Sequence, residues 1–195
     1  MDTHKGSFPF LIISLIDQAA RNAGKVTSLI GDLLNASQMS QGQLHLNKKE
    51  FRIFETIRDC CSHLDERTHP VVVQCDKSLD CYGDEDRITQ VVTNFVNNAV
   101  KYAPASKTIT IRVGKENGSI KVSVIDKGPG ISKEKQGQLF DRYYRVDSNG
   151  AQVSGLGLGL YISAEIIKKH DGEIGVDSTP GMGSTFWFTL PVKRI

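Results

Sequence analysis

Asparagine is a poor residue inside a helix, costing roughly half a kcal/mol against alanine, yet the stretch 84–102 carries three: Asn94, Asn97 and Asn98. The stretch is amphipathic: Ile88, Val91, Phe95 and Ala99 form an apolar stripe, and Gln90, Asn94, Asn98 and Lys101 recur at steps of four, four and three on a polar one. Neutral amide oxygens suit Mg²⁺, which keeps several waters and takes its other ligands from phosphates. A lysine one turn on can meet the phosphate charge. A solvated helix face accounts for the same pattern equally well.

Asp126-Lys127-Gly128-Pro129-Gly130 closes an apolar strand pattern. The two glycines let the backbone turn sharply and approach a ligand, and a carboxylate at a strand end can accept a hydrogen bond from an exocyclic amine. Such an acceptor favours adenine over guanine, whose O6 would face it as a second acceptor. Alone, a D-x-G-x-G string is most often a plain turn. Gly155-Leu156-Gly157-Leu158-Gly159-Leu160 leads into a further helical pattern. Free N–H groups and the positive dipole end at a helix start make a phosphate seat. This run is not the dinucleotide fingerprint, because Leu160 stands where its last glycine belongs, and it follows a polar stretch rather than a strand. Nor is there a P-loop, since Gly24-Lys25 and Gly114-Lys115 lack the following Ser or Thr.

Taken in order, these groups resemble the catalytic ATP-binding domain of bacterial sensor histidine kinases. DEDRITQVVTNFVNNAVKY (84–102) is similar to that family's asparagine box, DKGPGI (126–131) to its first glycine box, LFDRYYRV (139–146) to its phenylalanine box and GLGLGL (155–160) to its second glycine box. GMGSTFWFTLP (181–191) resembles its closing hairpin, and 11–40, with SLIGDLLNAS at 28–37, the second helix of the dimerisation and phosphoacceptor hairpin. The resemblance implies an α+β fold, a two-layer α/β sandwich with a mixed sheet (the GHKL, or Bergerat, ATP-binding fold) preceded by one long amphipathic helix. It implies ATP and Mg²⁺ as cofactors. Asn98 would ligate the metal with Asn94 beside it, Lys101 and Arg145 would face the phosphates as the catalytic cations, and Tyr102 and Ile131 would line the pocket. Asp126 would hold the adenine amine beside Gly128 and Gly130, with Thr185 near the base. Gly155, Leu156, Gly157, Leu158 and Gly159 would form the phosphate side, hinging a lid over 132–154. Implied partners are a response regulator receiver domain and a second copy through the N-terminal helix, with no nucleic acid, in a cytoplasmic setting; relatives are often anchored in the inner membrane.

One departure is plain. The family's acceptor box reads roughly H-E-L-R-T-P, and no such box occurs here. His4 stands five residues before Pro9, but the Lys-Gly-Ser-Phe between them shares nothing with the box and supplies no carboxylate base. The acceptor histidine is therefore expected from elsewhere, and autophosphorylation of this chain alone is not. Histidines 45, 63, 69 and 170 read as surface or packing residues. Hydrolytic members of the same fold use a glutamate one turn before the first asparagine. Here that position is Gln90, whose amide cannot take a proton, which disfavours an ATPase. A non-catalytic ATP-binding or dimerising module is the remaining alternative.

These groups need elements to hold them. The 195 residues suit one ordinary domain plus an appendage, 39% hydrophobic content excludes general disorder, and a net charge of +2 with scattered basic residues forces no nucleic-acid partner. Cysteines 60, 61, 75 and 81 show neither disulfide nor zinc spacing, which fits a reducing compartment. The apolar run Phe8 to Ile16 is half of what a bilayer span needs and reads as a bundle helix rather than a leader. Ile12, Leu15, Ala19, Asn22, Val26, Leu29 and Leu33 keep heptad spacing. Residues 1–42 are thus expected to be a remnant of the dimerisation hairpin and 43–195 the catalytic domain. Within the latter the patterns predict a strand at 44–46, a helix over 51–66, a strand at 71–75, a helix over 84–102 and two strands around 109–113 and 120–124 turned by GKENG. A helix over 157–170 and strands at 173–178 and 184–190 follow.

Overall fold

A computed structural model describes residues 7–42, 44–62, 70–146 and 155–192 of the chain. Its elements run α1 (Ser7–Ser40), β1 (Lys49–Arg52), α2 (Ile53–Cys61), β2 (Val71–Gln74), β3 (Asp80–Gly83), α3 (Glu85–Tyr102), β4 (Ile109–Glu116), β5 (Ser119–Asp126), α4 (Lys133–Gln136), α5 (Gly159–Lys169), β6 (Ile174–Thr179) and β7 (Gly183–Pro191). Five strands form one mixed sheet in the order β2-β4-β5-β7-β6, in which only β2 and β4 run parallel. The period of two along each strand decides which side chains are buried. Ile109, Ile111 and Val113 of β4, Ile120, Val122 and Val124 of β5, and Phe186, Phe188 and Leu190 of β7 all lie against the helices.

The apolar stripe of α3 closes this layer. Ile88, Val91, Phe95 and Ala99 are buried, and the Phe95 ring sits 5.6 Å from Phe186 and 6.1 Å from Phe188. Helices α2 and α5 flank α3, giving the expected two-layer α/β sandwich with the long helix α1 before it.

Several boundaries in the first two thirds of the chain differ from the sequence-based expectation. Residues 44–46 are not a strand: Leu44 is buried, but its carbonyl accepts from Lys169 Nζ at 3.0 Å, so a side chain and not a ladder holds the segment. The strand lies at β1 and pairs antiparallel with β3, which Asp and Gly, poor strand formers, had concealed. The second helix begins at Ile53, since Phe51 and Arg52 belong to β1, and ends at Cys61; 63–66 lie outside the described residues. The β4–β5 turn is shorter than GKENG, for Lys115 still pairs with Ile120 and Glu116 with Ser119. Asn117 and Gly118, at φ 49° and 77°, make the two-residue loop whose twist matches a hairpin.

A polar junction ties the start of α3, the end of α5 and the segment after α1. The Asp84 carboxylate caps α3 by accepting from the Arg87 N–H at 3.2 Å, and its other oxygen accepts the Asn47 N–H at 2.8 Å. The Asp84 N–H donates to His170 Nε2 at 2.9 Å, which leaves the ring proton on Nδ1, donating to the Ile166 carbonyl at 2.8 Å. Burial pushes the His170 pKa down. His170 is therefore a packing residue, as expected, while His45 is exposed and His4, His63 and His69 lie outside the described residues. The four cysteines are free, and burial pushes the Cys81 thiol up to about 12.

Candidate functional site

A cavity of about 370 Å³ opens between α3, the loop after β5, the segment before α5 and one face of α1. Its floor follows from the sheet. Asp126 continues the inward row Ile120, Val122, Val124, so period two carries its carboxyl under the helices at the end of β5. Oδ1 accepts the Gly128 N–H at 2.7 Å, and the Ser184 N–H also bonds the carboxyl; burial nonetheless pushes the pKa up from its ordinary value. The result is a desolvated acceptor facing the cavity.

Along the inner wall α3 presents Asn94, Asn98, Lys101 and Tyr102. The polar row expected from the sequence divides here. Gln90 is not on the cavity: its Oε1 accepts from Arg87 Nη1 at 3.1 Å. Asn94 is committed to α5, donating from Nδ2 to Ser163 Oγ at 3.0 Å, and Ser163 in turn donates to the Gly159 carbonyl at 2.9 Å. A Cβ on Gly159 would collide with the Asn94 amide, so only glycine lets α5 start this close to α3. The Asn98 amide, half-buried on the wall, finds no hydrogen-bond partner among the described residues. Lys101 Nζ lies 4.9 Å from the Tyr102 ring centre, and a Cβ on Gly155 would stand 3.4 Å from that Nζ. Arg145 Nη1 donates to the Gly155 carbonyl at 3.1 Å. Two cations thus converge on the glycine run.

Gly130, Ile131, Gly155, Leu156, Gly157, Leu158 and Gly159 also line the cavity. Gly130 has φ 70°, and a Cβ there would meet the Thr179 carbonyl. Helix α5 begins at Gly159, two residues later than the pattern predicts, so Gly155 to Leu158 form an irregular turn along the cavity, Gly157 at φ 70° and Leu158 already helical, with the N–H groups of the helix start behind them.

Two expected residues fall elsewhere. Gly128 is absent from the lining; it packs on Ala103, where a Cβ would stand 2.8 Å from the Ala103 Cβ. Thr185 points to the opposite face of β7, because its neighbours Ser184 and Phe186 are the inward residues and line the cavity instead. Lys25, Leu29 and Asp32 of α1, Asn97, and Tyr144 also line the cavity, none of them expected from the sequence. The alternation of β7 could have found Ser184; nothing in the sequence marks which face of α1 meets the domain. Residues 147–154 of the expected lid lie outside the described residues. Among the described residues no cluster of three His, Cys, Asp or Glu could hold a metal alone, and no helix is long and apolar enough to cross a membrane.

The family model described as histidine kinase-, DNA gyrase B-, and HSP90-like ATPase matches residues 83–194. The adaptive-response sensory kinase SasA of Crocosphaera subtropica is 34% identical over 190 residues, covering 94% of this chain and 50% of its own length. The chain thus spans about half the length of the relatives it matches. Full-length ShkA in complex with AMPPNP superposes with a TM-score of 0.78 at 24% identity, over 91% of this chain and 38% of that one. The catalytic domain of the histidine kinase ThkA does so at 0.63 and 27% identity, over 74% of this chain and 95% of its own.

Proposed function

This chain belongs to the histidine kinase-, DNA gyrase B- and HSP90-like ATPase family, and we propose that it is the ATP-binding kinase domain of a sensor histidine kinase, presenting the γ-phosphate to a histidine supplied by another segment. The observation that carries this is the polarity of the cavity along α3. Asp126 lies beside Gly128 and Ala103 at the end of the helix, while Asn94 meets the start of α5 nine residues earlier, about 13 Å away at 1.5 Å per residue. A buried acceptor at one end, with two cations gathered at Gly155 and the start of α5 beyond it, matches an adenine followed by its polyphosphate.

In this reading Asp126 accepts from the adenine amine, Tyr102 and Ile131 flank the base, and Lys101, Arg145 and the glycine run neutralise the phosphates. The Asn98 amide, lacking a partner on the wall, fits Mg²⁺ as a single protein ligand alongside phosphate oxygens. Bound there, Mg²⁺ would offset phosphate charge. Asn94 acts mainly by positioning α5, which its side chain already holds. Catalysis then consists of orientation and charge neutralisation, with a response regulator receiving the phosphoryl group after the histidine. Water activation is not provided: Gln90 is an amide, and Arg87 occupies its oxygen away from the cavity.

Calorimetric titration with a non-hydrolysable ATP analogue, with and without Mg²⁺, tests the proposal. Mg²⁺-dependent binding is expected, and Asn98→Ala should weaken it more than it weakens metal-free binding; equal losses remove the ligand assignment. Absence of any adenine-nucleotide binding overturns the proposal. A separately supplied hairpin carrying an acceptor histidine, incubated with γ-labelled ATP, should become labelled; binding without transfer would leave a non-catalytic ATP-binding module.

A further inference from the structure

We infer that α1 forms an outer wall of the nucleotide cavity and that Lys25 on this helix contacts the polyphosphate. The inference rests on the ATP reading above and adds a phosphate contact from outside the sandwich that holds Lys101 and Arg145. Lys25, Leu29 and Asp32 follow one another at steps of four and three, which puts them on one face of α1, and all three line the cavity.

The register of α1 is fixed at its other end. Arg87 Nη1, in the first turn of α3, donates to Asn35 Oδ1 at 3.3 Å. From Asn35 back to Lys25 is ten residues, about 15 Å of helix, and from Arg87 forward to Asn98 is eleven, about 16 Å. Since Lys25 and Asn98 line the same cavity, the two helices run antiparallel and Lys25 comes level with Asn97 and Asn98, one turn before Lys101. That is the stretch where Lys101 and Arg145 converge on Gly155. Ala36 and Met39, one and two turns beyond Asp32, are buried and seat the helix.

The Lys25 side chain is exposed, so its ammonium reaches a bound phosphate on a flexible stem without prior desolvation. Asp32 stands two turns along the same face, where a carboxylate repels phosphate, so the contact falls to Lys25 alone. A contact of this kind is reciprocal: nucleotide would hold α1 against the domain, and the position of α1 would set nucleotide affinity.

The test uses the full chain and three probes, AMPPNP, ADP and adenosine, titrated calorimetrically into wild type, Lys25→Met and Lys25→Arg. Lys25→Met should weaken AMPPNP roughly five- to tenfold, the scale of one charged contact, weaken ADP by less, and leave adenosine unchanged. Lys25→Arg should bind AMPPNP within about twofold of wild type, since the charge is kept. Wild-type affinity for AMPPNP in Lys25→Met overturns the inference, as does an equal loss for adenosine, which would mean that Lys25 merely shapes the wall. Failure of wild type to bind any adenine compound overturns the ATP reading itself, an outcome distinct from either of these.

Discussion

Asp126 shows how one residue acquires a role from its strand. Its carboxyl is buried, held by the Gly128 and Ser184 N–H groups, and its pKa is pushed up by desolvation. Asp126→Asn keeps an acceptor oxygen but adds a donor able to meet guanine O6. The expected outcome is a preference for ATP over GTP reduced by roughly tenfold, read from paired titrations; an unchanged ratio would count against the adenine role. Adenine-nucleotide affinity should also fall with acidification, and the fall should begin above pH 3.8, because the ionised acceptor is lost at a higher pH than for an ordinary aspartate. Asp126 was legible in the sequence because an apolar alternation ran into it. Thr185 failed by the same rule, one place out of register with Ser184 on a strand whose alternate residues face opposite ways. Gly128 failed because sequence spacing marks a tight turn without saying what the glycine approaches, here Ala103.

Among elements, α5 is held at both ends by polar contacts that no periodicity reveals. At its start Gly159 and Ser163 clasp Asn94; at its end His170 accepts from the Asp84 N–H, and Lys169 Nζ donates to the Gly42 and Leu44 carbonyls at 3.1 and 3.0 Å. The helices and the central hairpin were legible because stripes and alternations are long there. Strand β3 and the true place of β1 were not, since four-residue strands carry too little pattern and their pairing is a tertiary fact. The His170 junction has a pH signature. Its folded pKa lies below 6.5, mainly through burial, opposed first by the hydrogen bond to the Ile166 carbonyl and then by Asp84 and Asp171, with Lys48 adding to the burial effect. The neutral ring's contribution is complete above pH 6.5 and is lost as pH falls from there towards the folded pKa, because only the unfolded chain takes up the proton readily. His170→Phe should cost about 1–3 kcal/mol at pH 8 by leaving the Asp84 N–H unpaired. Its urea stability, subtracted from wild type's, should show that difference shrinking between pH 7 and 5; a constant difference would assign the histidine a purely steric role.

For the whole molecule, α1 is the element least satisfied by its own chain. Ile12, Leu15, Ile16, Val26, Ile30, Leu33 and Leu34 all remain exposed on it, whereas Ala36 and Met39 pack on the sandwich. Heptad-spaced apolar residues left in water favour helix association. The sequence pattern identified the stripe but not its division, for Leu29, a member of the heptad row, turns towards the cavity instead. The chain is therefore expected to self-associate through the exposed apolar face of α1, seen as a concentration-dependent mass in sedimentation equilibrium. Ile12→Glu combined with Leu15→Glu should return it to a monomer while leaving AMPPNP affinity unchanged, because neither residue lines the cavity. A wild type that stays monomeric at every soluble concentration would refute this. A double variant that dissociates and also loses nucleotide affinity would show instead that association and the position of Lys25 are coupled, since one helix carries both the apolar stripe and the cavity face.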